Sequence, residues 1–595
     1  MNYDNGDFAN SLSKYSRLKT RKISVGNVTL GGDAPIRVQS MTTTDTNDVE
    51  ASARQSLQII NAGGEIVRLT TQGEKEARNI GLIRAELDKV NCHTPLVADI
   101  HFNPNAALTA AALVEAVRIN PGNYTGEAKR FNADADKMTD SEWHKLIVER
   151  LRPLVKTCKE HHTAIRIGVN HGSLSDRIMA KYGDTPQGMV ASCTEYIDAL
   201  EELDFREIAI SIKSSNTRVM VQTVRLLAAT LRQRGAIYPL HLGVTEAGSD
   251  AEGRIKSAAG IGALLNDGIG DTIRVSLTEA PEAEIPVAQA LVRHCERLAN
   301  LPDIGPVQQS QYSPFAYNRR PTISTLGICS NVPPIVATQG ESEADWSLSQ
   351  DLTSVTTSEG QTYPIVSLPT LATTPGQCLV RLTLNELRHL TSADLTTLRQ
   401  RADVAILAQC LSGNYQAELR ALALELSSND IRLPLVCQYV SREADLQLFQ
   451  LQMSADLGGL IIDGLIDGLA VIAPHSPEQV ASTALMLLQA TRARFSRTEF
   501  ISCPGCGRTL YDIQATVAKI KSQFGHLKGL KIGIMGCIVN GIGEMADADY
   551  GYVGAGRGKI SLYRGKELVR RSLDQEEALV ALKQLIKDDN KWKES

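Results

Sequence analysis

The chain has 595 residues, too many for one hydrophobic core, and its 43% hydrophobic and 22% charged content is that of an ordinary globular protein of two to four domains. Its 62 basic and 67 acidic residues leave a formal charge of -5. No global basic field therefore draws it to nucleic acid or to a membrane, and an anionic ligand must be held by a local cluster.

Eleven cysteines, an odd number, fit a reducing compartment where thiols stay free or bind metal. The opening MNYDNGDFANSLSKYSRLKTRK has no apolar stretch of signal-peptide type, and Asp4 and Asp7 argue against a transit peptide. No run approaches the roughly 18 uncharged apolar residues of a membrane span. The expected location is the cytoplasm.

From Ile36 to Ser276 eight short β-rich runs alternate with helical patterns: IRVQSM, EIVRLT, PLVADI, AVRIN, AIRIGV, EIAISI, PLHLGV and DTIRVS. Segments such as VEASARQSLQIINAG and TRVMVQTVRLLAATLRQRG repeat apolar residues every three or four positions, the period of an amphipathic helix. Eight strands separated by crossover helices predict an α/β fold of the (β/α)8 TIM-barrel type over residues 20–298.

The segment LPDIGPVQQSQYSPFAYNRRP reads as a linker. A second alternation follows, TISTLGI, PIVATQ, YPIVSL, CLVRLT, DVAILA, LPLVCQYV, GGLIID and LAVIAP, and predicts a barrel-like insert domain over 320–490. Its strand ends carry little clustered charge, so its expected role is structural. The last domain, 495–590, holds SCPGCGRTLYD, MGCIVNGIGE, one strand-like run (LKIGIMGC) and a terminal helix pattern.

In a TIM barrel the active site lies at the C-terminal strand ends. There the sequence places Gln39 and Ser40, Arg68, Asp99 and His101, Arg118 with Asn120, Arg166 with Asn170, Lys213, Glu246, and Arg274 with Ser276. Any one of these arginines taken alone is most simply an ion-pair partner. Five cations on one face repel one another unless an anion joins them. Arginine forks suit phosphate oxygens, so the expected ligand is a diphosphate. Asp99, His101 and Glu246 are proton-transfer candidates within that field, with Glu246 alternatively an ion-pair partner.

Cys503, Cys506 and Cys537 admit four readings: a thioredoxin-like pair, a structural zinc site, buried unliganded thiols, or an iron-sulfur cluster. A zinc site wants a fourth Cys or His, yet His526 is the sole histidine after residue 500. An iron-sulfur cluster accepts non-Cys ligands, and the glycine-rich loop after Cys537 offers Glu544, a hard and displaceable carboxylate.

Taken together and in order, VQSMTTTDT, LVADIHF, RINPGN, IRIGVN, HLGVTEAG, GIGDTIRVSL, SCPGCGRTLYD and MGCIVNGIGE resemble the 4-hydroxy-3-methylbut-2-enyl diphosphate synthases, in their long, three-domain form. The resemblance implies reductive ring opening and dehydration of 2-C-methyl-D-erythritol 2,4-cyclodiphosphate in isoprenoid biosynthesis. It implies a [4Fe-4S] cluster held by Cys503, Cys506, Cys537 and a displaceable Glu544. By motif Arg68, Asp99, His101, Arg118, Asn120, Arg166, Asn170, Lys213 and Arg274 contact substrate, and Glu246 moves a proton. Ferredoxin or flavodoxin is the implied electron donor, and a monomer or homodimer the implied assembly.

The loop reads GIGE where many relatives have GPGE, and Ile542 leaves the turn less rigid than proline would. The insert, 322–474, is expected to act as a spacer. Two other classes compete: a non-catalytic iron-sulfur carrier or sensor, which leaves the five cations idle, and a redox-free barrel transferase with structural zinc.

Overall fold

The computed structural model describes residues 7–100, 102–125, 138–308, 312–545 and 547–594. They divide into two compact units, one of residues 19–253, 270–289 and 497–595, the other of residues 1–18, 254–269 and 290–496. The first unit joins the N-terminal barrel strands to the cysteine-bearing domain, far apart in sequence.

That unit opens with a hairpin, β1 (Ile23–Val25) and β2 (Val28–Leu30). Ile23, Val25 and Leu30 pack on Ile66, Val97, Ala116, Ala164 and Ala209, at or near the beginnings of five barrel strands, and so plug the N-terminal end of the barrel. The barrel strands are β3 (Arg37–Met41), β4 (Ile66–Thr71), β5 (Leu96–Ile100), β6 (Ala116–Ile119), β7 (Ala164–Asn170), β8 (Ile208–Lys213), β9 (Leu240–Leu242) and β10 (Thr272–Ile273). They close in the order β10-β3-β4-β5-β6-β7-β8-β9, all pairs parallel. All eight expected strands are present. Their near-continuous apolar runs are what a parallel sheet buried on both faces requires.

The two amphipathic segments form the helices Val49–Asn61 and Thr217–Gln233, N-capped by the side chains of Asp48 and Asn216. Helix Asp140–His161 begins with a Thr139/Glu142 capping box.

In the second unit β11 (Ile335–Gln339), β12 (Trp346–Leu348), β13 (Ser354–Thr357), β14 (Thr362–Val366), β15 (Cys378–Thr383), β16 (Val404–Gln409), β17 (Leu435–Val440) and β18 (Gly468–Ile472) close a second eight-stranded barrel around Trp346, Leu379, Leu407 and Val436. The pairs β12–β13 and β13–β14 are antiparallel, unlike the rest.

Two expected strands are corrected. TISTLGI is a turn, with Leu326 and Gly327 both at positive φ and a single bridge from Thr325 to Ile328. GGLIID lies mainly at the end of helix Leu446–Ile462, since a short all-apolar run has no period to separate strand from helix. The three- and four-residue strands β12 and β13 take the vacant places.

The C-terminal part of the first unit is a five-stranded sheet rather than the single strand expected: β19 (Glu499–Ser502), β20 (Lys531–Met535), β21 (Tyr550–Gly556), β22 (Lys559–Arg564) and β23 (Glu567–Asp574). The first three strands are parallel and the last two antiparallel additions. Helices Ile513–Phe524 and Gln575–Asp588 cover one face through Val517, Ile520 and Leu582. On the other face Met545, which follows the short helix Ile538–Glu544, packs against Ile501, Met535 and Val553.

Candidate active site

The carboxyl ends of the first barrel's strands and the two cysteine loops line one cavity. Arg68, Asp99, Arg118, Asn170, Lys213, Glu246, Arg274 and Ser276 face it from the barrel, and Cys503, Cys506, Cys537 and Glu544 from the C-terminal domain. Cys503 directly follows β19 and Cys537 stands two residues after β20, and the two loops meet because parallel neighbouring strands deliver their C-terminal ends side by side. Between Cys503 and Cys506 the chain turns through Gly505 at φ +83°, a conformation that favours glycine.

The cations are held by a short list of partners. Arg118 donates to Asp99 Oδ1 (3.2 Å), to Asn170 Oδ1 (2.6 Å) and to the Gly168 carbonyl (3.0 Å). A Cβ at Gly168 would sit 2.0 Å from Arg118 Nε, so the glycine of IRIGVN makes room for the guanidinium. Arg274 is clamped by both oxygens of Glu284, at 2.9 and 3.0 Å, and Ser40 also donates to Glu284 (2.6 Å). Arg68 lies against Met41 Sδ and 4.0 Å from Asp99. Burial and the surrounding arginines push the Lys213 ammonium well below its ordinary value. Burial also drives Arg68 down, to about 10. These cations share few carboxylates, which is the electrostatic state of a site built for a multiply charged anion.

Asn120 and Arg166 are not on the cavity wall. Asn120 caps the short helix Pro121–Tyr124 through Gly122 N and donates to Ser173. Arg166 is 2% exposed and donates to Gln39 Oε1 (2.9 Å), whose amide in turn reaches Thr272. His101 lies outside the described residues.

Glu544 is buried, and both its oxygens are held by the barrel, Oε1 by Asn170 Nδ2 (2.6 Å) and Oε2 by Thr245 Oγ1 (2.8 Å). Ser215 donates to its carbonyl. Burial and the neighbouring Glu246 carboxyl raise the Glu544 pKa well above the usual carboxylate range. Glu246 itself adopts φ +48° in the turn after β9. Gly536 N–H points at Cys503 Sγ (3.2 Å). Although burial opposes it, the Arg508 guanidinium draws the Cys506 thiol below its ordinary value.

Residues that the sequence did not single out complete the site: Met41, Thr245, Ser215, Glu284 and Arg508. Arg508 stands two residues from Cys506 and 3.9 Å from Asp99, and this adjacency was the available signal. Glu284 begins a helix beyond the last strand, where nothing marks it as a partner of Arg274.

Among the described residues no three His, Cys, Asp or Glu side chains gather closely enough for a single metal ion. The three thiols and Glu544 are instead distributed along the wall of one cavity, with a backbone N–H aimed at one sulfur. That donor set fits a polynuclear iron-sulfur group, which spreads its ligands and accepts hydrogen bonds at its thiolates.

A (β/α)8 barrel with a cationic mouth, capped by a domain that brings thiols to it, defines an enzyme of the barrel class acting on an anionic substrate beside a redox group. The chain matches the GcpE TIM-barrel domain over residues 20–289 and the GcpE protein C-terminal domain over 499–588. It is 47% identical to the 4-hydroxy-3-methylbut-2-en-1-yl diphosphate synthase (flavodoxin) of Parabacteroides distasonis, covering 97% of this chain and 99% of that one. Relatives of the same name from Bacteroides thetaiotaomicron and Porphyromonas gingivalis are each 46% identical, with 98% of this chain and 99% of each relative covered. The chain belongs to the GcpE family of 4-hydroxy-3-methylbut-2-en-1-yl diphosphate synthases.

Proposed function

We propose that the chain converts 2-C-methyl-D-erythritol 2,4-cyclodiphosphate to 4-hydroxy-3-methylbut-2-enyl diphosphate, taking up two electrons and two protons and releasing water. The observation that carries this reading is that Glu544 and the three thiols share a cavity wall with the barrel's cations. A bound [4Fe-4S] group would be held by Cys503, Cys506, Cys537 and Glu544 and would supply electrons and a Lewis-acidic iron.

The chain's own side chains do the rest. Arg68, Arg118, Lys213 and Arg274, with Ser276, bind the diphosphate and cancel its charge in a water-poor site. Asp99 aligns Arg118, and Glu284 fixes Arg274. Arg166 and Asn120 act through their neighbours, shaping the floor and the mouth of the barrel. Glu246 faces the ligand and delivers a proton to the departing oxygen. Thr245 and Asn170 hold Glu544 when no substrate is present.

The relatives carry flavodoxin in their names, and flavodoxin is the proposed donor, with ferredoxin as its alternative. Among the described residues no helix is long and apolar enough to cross a membrane.

The test is turnover of the cyclic diphosphate by anaerobically reconstituted protein with excess reductant. The linear diphosphate should appear, and Glu246→Gln should lower its rate by about 100-fold, the usual scale of a lost acid-base group. An unchanged rate for that variant removes Glu246 from proton transfer. Failure of the wild type to form product refutes the reading.

A further inference from the structure

The far edge of the C-terminal sheet is basic although the chain as a whole is acidic. Between Ala555 and Leu573 stand Arg557, Lys559, Arg564, Lys566, Arg570 and Arg571 against the single acid Glu567. All six cations are exposed. Lys559 pairs with Asp574 (2.9 Å) and Arg564 with Asp589 (2.8 Å). Among the described residues Arg557, Lys566, Arg570 and Arg571 form no ion pair. β23 pairs on one side only, with β22, and its Leu568 and Val569 are each 37% exposed.

Charge on a free edge strand is ordinarily protection against aggregation. A second observation separates this edge from that reading. The β21–β22 hairpin that displays Arg557 is backed directly onto the cysteine loops. Gly558 N donates to Leu510 O (3.2 Å), Leu510 N donates to Gly536 O (3.1 Å), and Gly536 N donates to Cys503 Sγ (3.2 Å). Three hydrogen bonds thus connect the basic hairpin to a thiol. The register carries the same level across the sheet: Met535 lies beside Val553, Val553 beside Ser561, and Ile560 beside Leu573. Arg571 stands two residues before Leu573 on the edge strand, and Arg570, paired with Leu562, is level with Ile534, three residues before Cys537 on the central strand and its loop. On the other side of Cys537, Ile538 is 51% exposed and offers an apolar contact.

We propose that this end of the C-terminal sheet, centred on Arg557 and flanked by Arg570 and Arg571, is the docking surface for an acidic one-electron carrier protein of the flavodoxin class. The inference rests on the iron-sulfur reading above. Each docking oxidises the reduced carrier by one electron, which enters beside Cys503, and two dockings supply the pair that the reaction consumes. Long-range attraction between opposite charges raises the encounter rate without demanding a large interface, the regime of transient electron-transfer complexes.

The experiment compares holoenzyme with the variant R557E/R570E/R571E. Flavodoxin binding is measured by calorimetry, reduction of the chromophore by reduced flavodoxin and by dithionite in stopped flow, and mass by light scattering. The variant is expected to lose flavodoxin binding and at least about 10-fold in flavodoxin-driven reduction, together with its salt dependence. Its dithionite-driven reduction should match wild type, which also shows that it is folded. The neutral variant R557Q/R570Q/R571Q should lose less.

Unchanged flavodoxin affinity and salt dependence overturn the proposal. A wild-type dimer that becomes monomeric in the variant also overturns it, assigning the edge to a second copy of the chain. If the wild type is reduced by dithionite but by neither flavodoxin nor ferredoxin, the docking surface falls and the cluster reading stands. A wild type without an iron-sulfur chromophore removes both.

Discussion

Asn170 donates to Glu544 Oε1 at 2.6 Å while accepting from Arg118 Nη2 at the same distance. Arg118 has only donors, so the amide oxygen must face it and the amide nitrogen must face the carboxylate. One side chain therefore links the anion-binding cations to the proposed fourth ligand. In the proposed reaction, an anion that drew Arg118 toward itself would loosen the hold of Asn170 on Glu544.

Asn170→Asp tests that link, because it keeps an acceptor for Arg118 and sets a carboxylate against Glu544. Loss of a charge-assisted hydrogen bond and new repulsion together cost roughly 3 kcal/mol, or about 100-fold in kcat/KM. The visible spectrum should persist with an altered shape, and thermal unfolding should change little. Steady-state kinetics beside absorption spectra check this, and wild-type kinetics would dissolve the link.

Gly172 and Gly543 meet backbone to backbone. A Cβ on Gly543 would lie 2.5 Å from Gly172 O. The Gly543→Ala variant should therefore keep its thiols and chromophore but seat the C-terminal domain poorly on the barrel mouth. Turnover is expected to fall about 100-fold, the scale of a misplacement of about 1 Å, with iron content unchanged. Full turnover in this variant would show that the close approach is dispensable.

Lys213 is held below its ordinary pKa by burial and by four arginines. A diphosphate reverses that field and raises the pKa, so binding takes up a proton when the pH lies between the free and bound values. Affinity for inorganic pyrophosphate should then fall as pH rises through that window. Calorimetry in buffers of different ionisation enthalpy reads the proton uptake, and Lys213→Met should abolish it. Equal uptake in that variant would assign the proton elsewhere.

The barrel strands are readable because most are apolar runs with a polar residue at or near the C-terminal end, Asp99 in LVADI and Asn170 in AIRIGVN, as a parallel sheet buried on both faces favours. The strand ends consequently bring Arg68, Asp99, Arg118 and Arg274 to the cavity wall. What escaped was determined by tertiary contact. Glu284 becomes a partner of Arg274 only when a helix after the last strand returns to the mouth. Arg166 and Asn120 carry the residue types of a binding site but spend them on Gln39 and on a helix cap. In the C-terminal domain β22 is a short uncharged run, ISLY, between Lys559 and Arg564, and Arg570 and Arg571 interrupt ELVRRSLD, so neither stands out as a strand. In the insert, β12 has only three residues and β13 is short and mostly polar, so neither stands out from loops.

In the proposed site Cys503, Cys506, Cys537 and Glu544 together hold one iron-sulfur group at the barrel mouth. Mössbauer spectroscopy of protein reconstituted with iron-57, wild type against Glu544→Ala, tests it most directly. About four irons per chain are expected in the wild type, with one site more ionic than the rest, and loss of that distinct site in the variant. Identical spectra for the two proteins, or zinc in place of iron, would contradict it.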